Sequence, residues 1–280
     1  MDKSIEFNLY REKYKEFYYN SYSIKEDEEA LFLEYEFEIP NLTRFNPKYK
    51  ILKKGLNLKN INTNYVRNMV FHIGLIELIS YWKCTCSPQV KIKCGYLCDE
   101  QITWLKKLYF YGLGELFYTN NIKIDIDSLM SIETTFKEDN LKYDTIEEEF
   151  QGYIVPIGGG KDSVVTLETL KLNKKSDCCL IINPKPVTLE CAKIAGFNSN
   201  NIIEIYRTID KNIIELNSKG YINGHTPFSA MLAFVSYFVA YMFSKKYVAL
   251  SNENSANESN VVGEKINHQY SKSFEFECDF

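Results

Sequence analysis

Arginine and histidine are scarce in this chain of 280 residues. Arginine supplies only four of the 33 basic side chains, and three histidines are present. Arginine is the side chain best suited to grip phosphates and base edges in a fork. The net charge of −4 also differs from the basic balance of a nucleic-acid reader. We therefore expect no nucleic-acid partner.

Long apolar segments are missing as well. The longest one, residues 228–243, contains Ser229 and Ser236 and falls short of the ~20 apolar residues that a membrane-spanning helix needs. Residues 1–17 are charged and lack the apolar core of a secretory signal. We expect a cytoplasmic protein without a membrane partner.

The cysteines show no disulfide-module spacing. There are eight of them, and their pattern predicts free thiols in a reducing compartment. Cys84, Cys86, Cys94 and Cys98 form a CxC and a CxxxC pair, which fits no common zinc knuckle well. We interpret these four as structural thiols, and a zinc site is the alternative.

The first half of the chain mixes strand and helix patterns and predicts an α+β domain over residues 1–148. Its apolar periodicities predict strands at Leu31–Ile39 and Ile122–Asp127 and helices at Asn64–Trp82 and Asp99–Tyr111. The acidic run Lys137–Glu149 is typical of a solvated linker. We place the domain boundary there, so that the second domain covers residues 149–280.

The second half alternates short apolar runs with helical segments. This alternation predicts an α/β fold with a doubly wound parallel sheet. Ligands of such sheets bind beyond the carboxyl ends of the strands, where the polar segments 158–163, 183–186 and 251–258 fall. The predicted strands are Tyr153–Ile157, Cys178–Asn183, Ile202–Tyr206 and Tyr247–Ser251, and the predicted helices are Asp162–Leu172, Thr188–Ala195 and Pro227–Phe243.

A glycine-rich segment with candidate anion-binding and metal-binding residues follows the first of these strands. Glycines let backbone N–H groups approach an anion, and the helix that follows adds its partial positive charge. Ser163 can donate a hydroxyl to phosphate, and Asp162 can hold Mg²⁺. The spacing is neither that of a Walker A loop nor GxGxxG, and an ordinary tight turn is the alternative. The segment consists of Gly158, Gly159, Gly160, Lys161, Asp162 and Ser163.

This loop resembles the SGGxDS loop of the ATP pyrophosphatases, also called the PP-loop superfamily, with Gly158 in place of the first serine. The resemblance implies an adenine nucleotide alpha-hydrolase-like fold. It also implies that ATP and Mg²⁺ bind at the loop and that ATP is cleaved to AMP and pyrophosphate.

Further strings narrow the resemblance. They are GLIELISYWK from Gly74, YRTID from Tyr206, GYINGHTPFSA from Gly220, SNENSANES from Ser251 and NHQYSKSFEFE from Asn267. Together with the loop, they make the chain similar to the UDP-N-acetylmuramoyl-L-alanyl-L-glutamate epimerase family. That resemblance implies a UDP-linked muramoyl dipeptide substrate whose terminal glutamate is inverted through an acyl-adenylate.

The resemblance also predicts how much of the enzyme this chain contains. Members of that family continue well past the position of residue 280, and a sheet of this kind usually has five strands, whereas four are predicted here. We therefore expect the chain to be part of a longer enzyme, with a C-terminal part missing.

Candidate catalytic residues are His268, Lys272 and His225. Lys272 can bind an anion or act as a base if its pKa is lowered. A helix-start role is the alternative for His225, a solvated loop is the alternative for His268, and His72 is expected to be structural. Candidate nucleotide-binding residues outside the loop lie at or just beyond the carboxyl ends of the predicted strands; they are Asn183, Arg207, Ser251, Asn252 and Glu253.

Two other functions stay open. One is another adenylating enzyme with the same loop, such as an amide ligase or a tRNA-modifying enzyme, although the acidic chain lacks a basic face for tRNA. The other is a degenerate nucleotide-binding protein, which the presence of both Asp162 and Ser163 disfavours.

Overall fold

A computed structural model describes residues 3–59, 61–136, 149–170, 173–258, 267 and 269–280. Ten strands and ten α-helices occur in this part of the chain. The strands are β1 Glu16–Glu26, β2 Ala30–Ile39, β3 Thr43–Phe45, β4 Lys48–Leu52, β5 Gln89–Ile92, β6 Ser131–Thr134, β7 Tyr153–Pro156, β8 Cys178–Ile182, β9 Ile202–Thr208 and β10 Tyr247–Val248.

The helices surround a mixed sheet of strand order β10-β7-β8-β9-β4-β2-β1-β5-β6, with β3 paired to β2. The predicted α/β class is confirmed at this level. The helices are α1 Lys3–Lys13, α2 Asn64–Trp82, α3 Asp99–Gly112, α4 Gly114–Thr119, α5 Ile126–Leu129, α6 Lys161–Thr169, α7 Pro186–Ile194, α8 Lys211–Ser218, α9 Phe228–Met242 and α10 Phe274–Asp279.

The apolar patterns of the first half place most of its elements correctly. β2 alternates buried and half-buried side chains along its length, as expected for a strand with one face toward the core. The helix predicted over Asn64–Trp82 has these same bounds, and the hydroxyl of Thr63 accepts the Val66 N–H at its start. The second predicted helix begins at Asp99 as expected and extends to Gly112.

The strand predicted at Ile122–Asp127 is wrong. The side chain of Asp125 accepts the N–H of Ser128 and starts the short helix α5, so the local hydrogen bonds go to a capped turn. Ile122 is buried without belonging to a strand. The strand of this region is β6, which pairs with β5 at Val90 and Ile132.

The predicted strands of the second half are confirmed as a parallel arrangement. β10, β7, β8 and β9 are neighbours in this order, and all three pairings are parallel. Pairing at the last strand covers only Tyr247 and Val248, fewer residues than the predicted run. The first helix after the loop ends at Thr169, and residues 171–172 of its predicted range lie outside the described residues.

One sheet joins the two halves of the chain. β4 pairs with β9 in antiparallel fashion, from Lys48 opposite Thr208 to Ile51 opposite Ile205. The main core likewise includes side chains from both halves. Of the predicted linker Lys137–Glu149, residues 137–148 lie outside the described residues.

The helices of the second half cover the two faces of its sheet unequally. α9 packs against α2 within the main core. A smaller apolar cluster joins β7 and β8 to side chains such as Leu167 of α6 and Ala192 of α7. Among the helices described, none combines the length and the apolarity that crossing a membrane requires.

Candidate active site at the carboxyl ends of the parallel strands

The glycine loop connects β7 to α6 at the carboxyl edge of the parallel strands. Gly160 is the extended residue before the helix, and Lys161 is its first residue. The hydroxyl of Ser163 donates to the carbonyl oxygen of Gly160 at 2.9 Å, which fixes the first turn. The N–H groups at this helix start have no carbonyl partner within the helix and carry partial positive charge. The loop therefore has the geometry of an anion-binding turn.

Gly159 is required by its backbone conformation. Its φ angle is +78°, and a Cβ atom there would lie 3.2 Å from Thr188 and 3.3 Å from Val187 at the start of α7. Gly158 and Gly160 differ, because a Cβ atom at either position would meet no atom within 4 Å. The backbone on that side of the loop is open to an incoming group.

A cavity of about 820 Å³ lies against this open side. The loop forms one wall, and α9, the chain after β10, and the segment 271–280 form the others. Its volume lies in the range of small-molecule sites. The polar residues that line it are Asp162, Ser163, Ser229, Tyr237, Lys246, Ser251, Asn252, Ser271, Lys272 and Glu277.

The predicted segment after β10 lies directly beside the loop. Lys161 Nζ and Glu253 Oε1 form an ion pair at 3.1 Å, and the hydroxyls of Thr166 and Ser251 are 2.5 Å apart. The hydrogen bond with Glu253 raises the pKa of Lys161, and the same bond lowers the pKa of Glu253. Both side chains are therefore charged at neutral pH.

Lys272 lines the same cavity as the loop. It ends a short 3₁₀ turn that begins at Tyr270, and the next residue, Ser273, caps α10. Asn267 ties this segment back to the chain after β10 by donating to the carbonyl oxygen of Ala256 at 2.6 Å. The cavity is therefore lined by an amine as well as by the glycine loop.

The two histidines proposed as catalytic residues have different positions. His268 lies outside the described residues. His225 is exposed in the turn before α9, and the described residues lining the 820 Å³ cavity do not include it. Lys83 Nζ holds this turn by donating to the carbonyl oxygen of Gly224 at 2.5 Å.

Arg207 lies apart from the loop in a buried ion-pair cluster, which we define as Tyr49, Glu77, Ser80 and Arg207. The Glu77 carboxylate accepts from Arg207 Nε at 2.8 Å and from Nη2 at 2.9 Å, and it also accepts from the Tyr49 hydroxyl. The Ser80 hydroxyl oxygen accepts a further N–H, from Arg207 Nη2, at 3.1 Å. Burial alone would lower the pKa of Arg207, but the adjacent carboxylate raises it overall.

Asn183 is tied to the same strand end. Its φ angle is +51°, and its side-chain oxygen accepts the N–H of Arg207 at 2.8 Å. This contact fixes the chain where β8 ends against β9. The described lining of the 820 Å³ cavity includes neither of these two residues.

Sequence reasoning missed Glu77 and Lys246. Glu77 is the only acid in the apolar helix α2, and a buried charge needs a partner, so that signal was present in the sequence. Lys246 immediately precedes β10 and offered no such signal, because it lies in an ordinary polar connection.

The described residues contain no group of three or more His, Cys, Asp and Glu side chains arranged to hold a metal ion. Asp162 is a single carboxylate in the cavity wall. Mg²⁺ is often held by one or two carboxylates together with substrate phosphates and water, so this position suits an ion that arrives with a nucleotide. Cys84 and Cys86 are fully buried, and burial raises the pKa of both thiols.

The family model described as the MurL N-terminal domain matches residues 8–280. A UDP-N-acetyl-alpha-D-muramoyl-L-alanyl-L-glutamate epimerase of Xanthomonas oryzae is 28% identical over 230 residues, which cover 80% of this chain and 48% of that protein. An epimerase of the same name from Salinispora tropica is 28% identical over 207 residues, which cover 73% of this chain and 44% of the relative.

A third epimerase of that name, from a Micromonospora species, is 28% identical and covers 73% of this chain and 45% of its own length. The chain thus spans about half the length of the curated relatives it matches. No solved structure matches the chain.

Proposed function

This chain belongs to the MurL N-terminal domain family, and we propose that it carries the ATP-using part of an epimerase. The substrate is a UDP-linked muramoyl-L-alanyl-L-glutamate, the product has D-glutamate at its end, and the reaction releases AMP and pyrophosphate. The observation that supports this proposal best is the Gly158–Ser163 loop, which opens a helix at the edge of a parallel sheet and lines a cavity that also contains Lys272. The free thiols of the described residues suit a cytoplasmic enzyme.

The cavity offers groups that match a triphosphate. Backbone N–H groups of the loop and of the start of α6 suit phosphate oxygens. Lys246 and Lys272 line the cavity and supply positive charge, and Lys161 belongs to the loop beside it, paired with Glu253. Asp162 would hold Mg²⁺, which supplies charge neutralisation on the phosphates. On this basis, the second-half sheet is an ATP pyrophosphatase-like, adenine nucleotide alpha-hydrolase-like domain.

Activation of a carboxylate explains why inversion would consume ATP. Removing the α-proton of a glutamate beside an ionised carboxylate would place two negative charges on the enolate. Attack of that carboxylate on the α-phosphorus of ATP expels pyrophosphate and gives an acyl-adenylate, whose carbonyl no longer carries the charge. A base then takes the α-proton, a proton returns to the opposite face, and water releases AMP.

Lys272 is the proposed proton-transfer residue that the described cavity contains. A lysine acts as a base when its surroundings favour the neutral amine, and Lys272 lines the same cavity as the loop that would hold the nucleotide. His268 stays a candidate from its position in the same polar string. His225, in the turn before α9, is proposed to position the substrate carboxylate.

The products of ATP cleavage test the nucleotide part of the proposal. Incubation of the chain with ATP, Mg²⁺ and the muramoyl dipeptide should yield AMP and pyrophosphate. A Gly159→Val variant, which strains the loop at its positive φ angle, should lose this activity. The matched control is Gly220→Val, because Gly220 also has a positive φ angle but a Cβ there meets no atom within 4 Å. Formation of ADP and phosphate would refute the assignment.

Deuterium uptake tests the proton-transfer part. A full-length relative that carries the same motifs should incorporate deuterium at the glutamyl α-carbon in heavy water. If Lys272 or His268 is the base, its replacement (Lys272→Met or His268→Asn) should abolish deuterium uptake while adenylation persists. If His225 positions the carboxylate, His225→Asn should weaken both adenylation and deuterium uptake. Lys219→Met is the matched control, since Lys219 pairs with Glu215 on α8 and does not belong to the described lining of the cavity. Unchanged uptake in all three variants would exclude these residues from the mechanism.

A further inference from the structure

A second cavity adjoins the first, and Phe280 lines both. Its volume is about 440 Å³, within the range of pockets that hold small ligands. Its walls come from α2, α3, α9 and α10. The Trp104 and Phe234 ring centroids are 5.8 Å apart, and those of Phe234 and Phe280 are 4.9 Å apart in an edge-on arrangement. A cluster of aromatic side chains therefore lines this cavity.

Trp104, which lines this cavity, also carries an unused hydrogen-bond donor. Its indole nitrogen, Nε1, is buried and has no partner in the part of the chain that the structure describes. An indole N–H can only donate, and a buried donor without an acceptor is costly. The second tryptophan of the chain differs, because Trp82 donates to the carbonyl oxygen of Ser87 at 2.9 Å. A residue of the cavity wall thus carries a donor for which the described residues supply no acceptor.

The amide of Gln101 supplies a second donor. His72 Nδ1 lies 2.8 Å from the carbonyl oxygen of Asn68, so this ring nitrogen carries the hydrogen. Burial lowers the pKa of His72, and the ring is neutral at pH 7 with Nε2 as an acceptor for Gln101 Nε2 at 3.3 Å. The side-chain oxygen of Gln101 accepts the N–H of Cys98 at 3.1 Å. An amide NH₂ has two hydrogens. One of them is donated to His72, and the other is left for a ligand.

We propose that this second cavity binds the uracil ring of the UDP-linked substrate. The inference rests on the proposed function, since that function supplies a uridine nucleotide. The hydrogen-bonding edge of uracil reads acceptor, donor, acceptor. Trp104 and Gln101 offer two donors for the carbonyl oxygens, and the exposed carboxylate of Glu100, which also lines the cavity, offers an acceptor for the ring N–H. The aromatic side chains stack on a planar base.

Cytosine separates this proposal from a general aromatic pocket. Its edge presents an amino group where uracil has a carbonyl, and its ring nitrogen accepts where that of uracil donates. Two of the three matches are lost, so discrimination of about tenfold or more is expected. A pocket that uses only stacking would bind both bases alike, because every base has an aromatic face.

Tryptophan fluorescence gives a direct measurement, since the chain has only two tryptophans. In a Trp82→Phe variant, Trp104 is the sole reporter. Titration with UMP should change its emission in a saturable way, and CMP or AMP should require a concentration about tenfold higher or more. Equal responses to all three nucleotides, or no saturable change with UMP up to about 10 mM, would overturn the proposal.

Calorimetry provides the second, independent test. UMP should bind the unaltered chain, and Trp104→Phe, which keeps a ring but removes the N–H, should weaken binding about tenfold. Trp82→Phe is the matched control and should leave the affinity unchanged. Thermal unfolding confirms that each variant is folded. Unchanged UMP affinity in Trp104→Phe would refute the proposed role of the indole donor.

These measurements need neither ATP nor turnover. UMP binding with the predicted selectivity, in a chain that cleaves ATP to ADP and phosphate, would support the second cavity and contradict the proposed function. ATP cleavage to AMP and pyrophosphate without UMP binding would support the proposed function and contradict the proposal for the second cavity.

Discussion

Two polar centres near the carboxyl ends of the second-half strands satisfy their charges in opposite ways. In the buried ion-pair cluster, Arg207 is matched by the carboxylate of Glu77, the two side chains being 11% and 0% exposed. At the glycine loop, Lys161 and Glu253 are 75% and 43% exposed, and the cavity beside them is open. Charge satisfied inside the chain holds the fold, whereas charge beside a cavity is available to a ligand.

The comparison also changes the interpretation of Arg207. Its position after β9 made it a candidate for binding phosphate or carboxylate. The guanidinium instead bridges the first-half helix α2 and the second-half strand β9. A positioning role between the two halves is the interpretation that its contacts favour, and direct binding of the nucleotide stays an untested prediction.

Glu77→Gln should have the largest effect on stability. The substitution leaves the Arg207 guanidinium buried without its counter-charge, which costs about 3–5 kcal/mol in comparable cases. Chemical denaturation measures the loss in free energy of unfolding. A double variant, Glu77→Leu with Arg207→Met, should recover part of the loss because neither charge remains. Wild-type stability in Glu77→Gln would show that the pair does not hold the two halves together.

Asp162→Asn should have the next largest effect, on activity alone. Loss of the proposed magnesium-binding carboxylate should slow pyrophosphate formation on the order of a hundredfold, equivalent to about 2.7 kcal/mol in the barrier. Because Asp162 lies in the cavity wall, the unfolding midpoint should stay the same. An unchanged rate of pyrophosphate release would contradict the assignment of this residue.

The pH dependence of stability should show the influence of burial on Lys83. Burial lowers its pKa to about 8, below the ordinary value of about 10.4. Between these two pH values the unfolded chain binds more protons, so the free energy of unfolding should rise with pH. From pH 8 to 9.5 the contribution is about 1–2 kcal/mol.

Lys83→Met isolates this contribution from the tyrosines and cysteines that titrate nearby. The variant should lack the rise, and the difference between the two stability curves should grow with pH in that window. Parallel curves would mean that the amine of Lys83 has an ordinary pKa.

Glu253→Gln should have the smallest effect. Exposed ion pairs contribute little to stability, so the unfolding midpoint should not change measurably, in contrast to Glu77→Gln. ATP affinity should change by about threefold at most, in a way that added salt reduces. Destabilisation as large as that of Glu77→Gln would remove the distinction between the two centres.

The sequence predicts the second-half sheet well for a physical reason. Buried parallel strands are continuous apolar runs, and residues such as those of Cys178–Ile182 admit few other interpretations. The Ile122–Asp127 prediction failed because alternation of apolar and polar residues does not distinguish a strand from a capped turn. There the side chain of Asp125, rather than the apolar pattern, decides the local hydrogen bonding.

Contacts between distant segments are the part that the sequence does not predict. Glu77 and Arg207 were each noticeable as isolated charges, but their pairing depends on how α2 lies against β9. The cavity combines the loop with Lys246 and Lys272, and the strings that carry the resemblance include the loop and Lys272 but not Lys246. Local patterns determine elements, whereas the assembly of a site depends on the whole sheet.

The pairing of β4 with β9 has a consequence for the order of folding. Lys48 and its partner Thr208 are separated by 160 positions (208 minus 48), so this pairing closes a long loop and is entropically slow. During synthesis, β4 emerges long before β9 and presents an unpaired edge that could template aggregation. β4 carries lysines at positions 48 and 50, and lysine is a side chain that natural proteins use to keep an exposed strand edge from pairing with other chains.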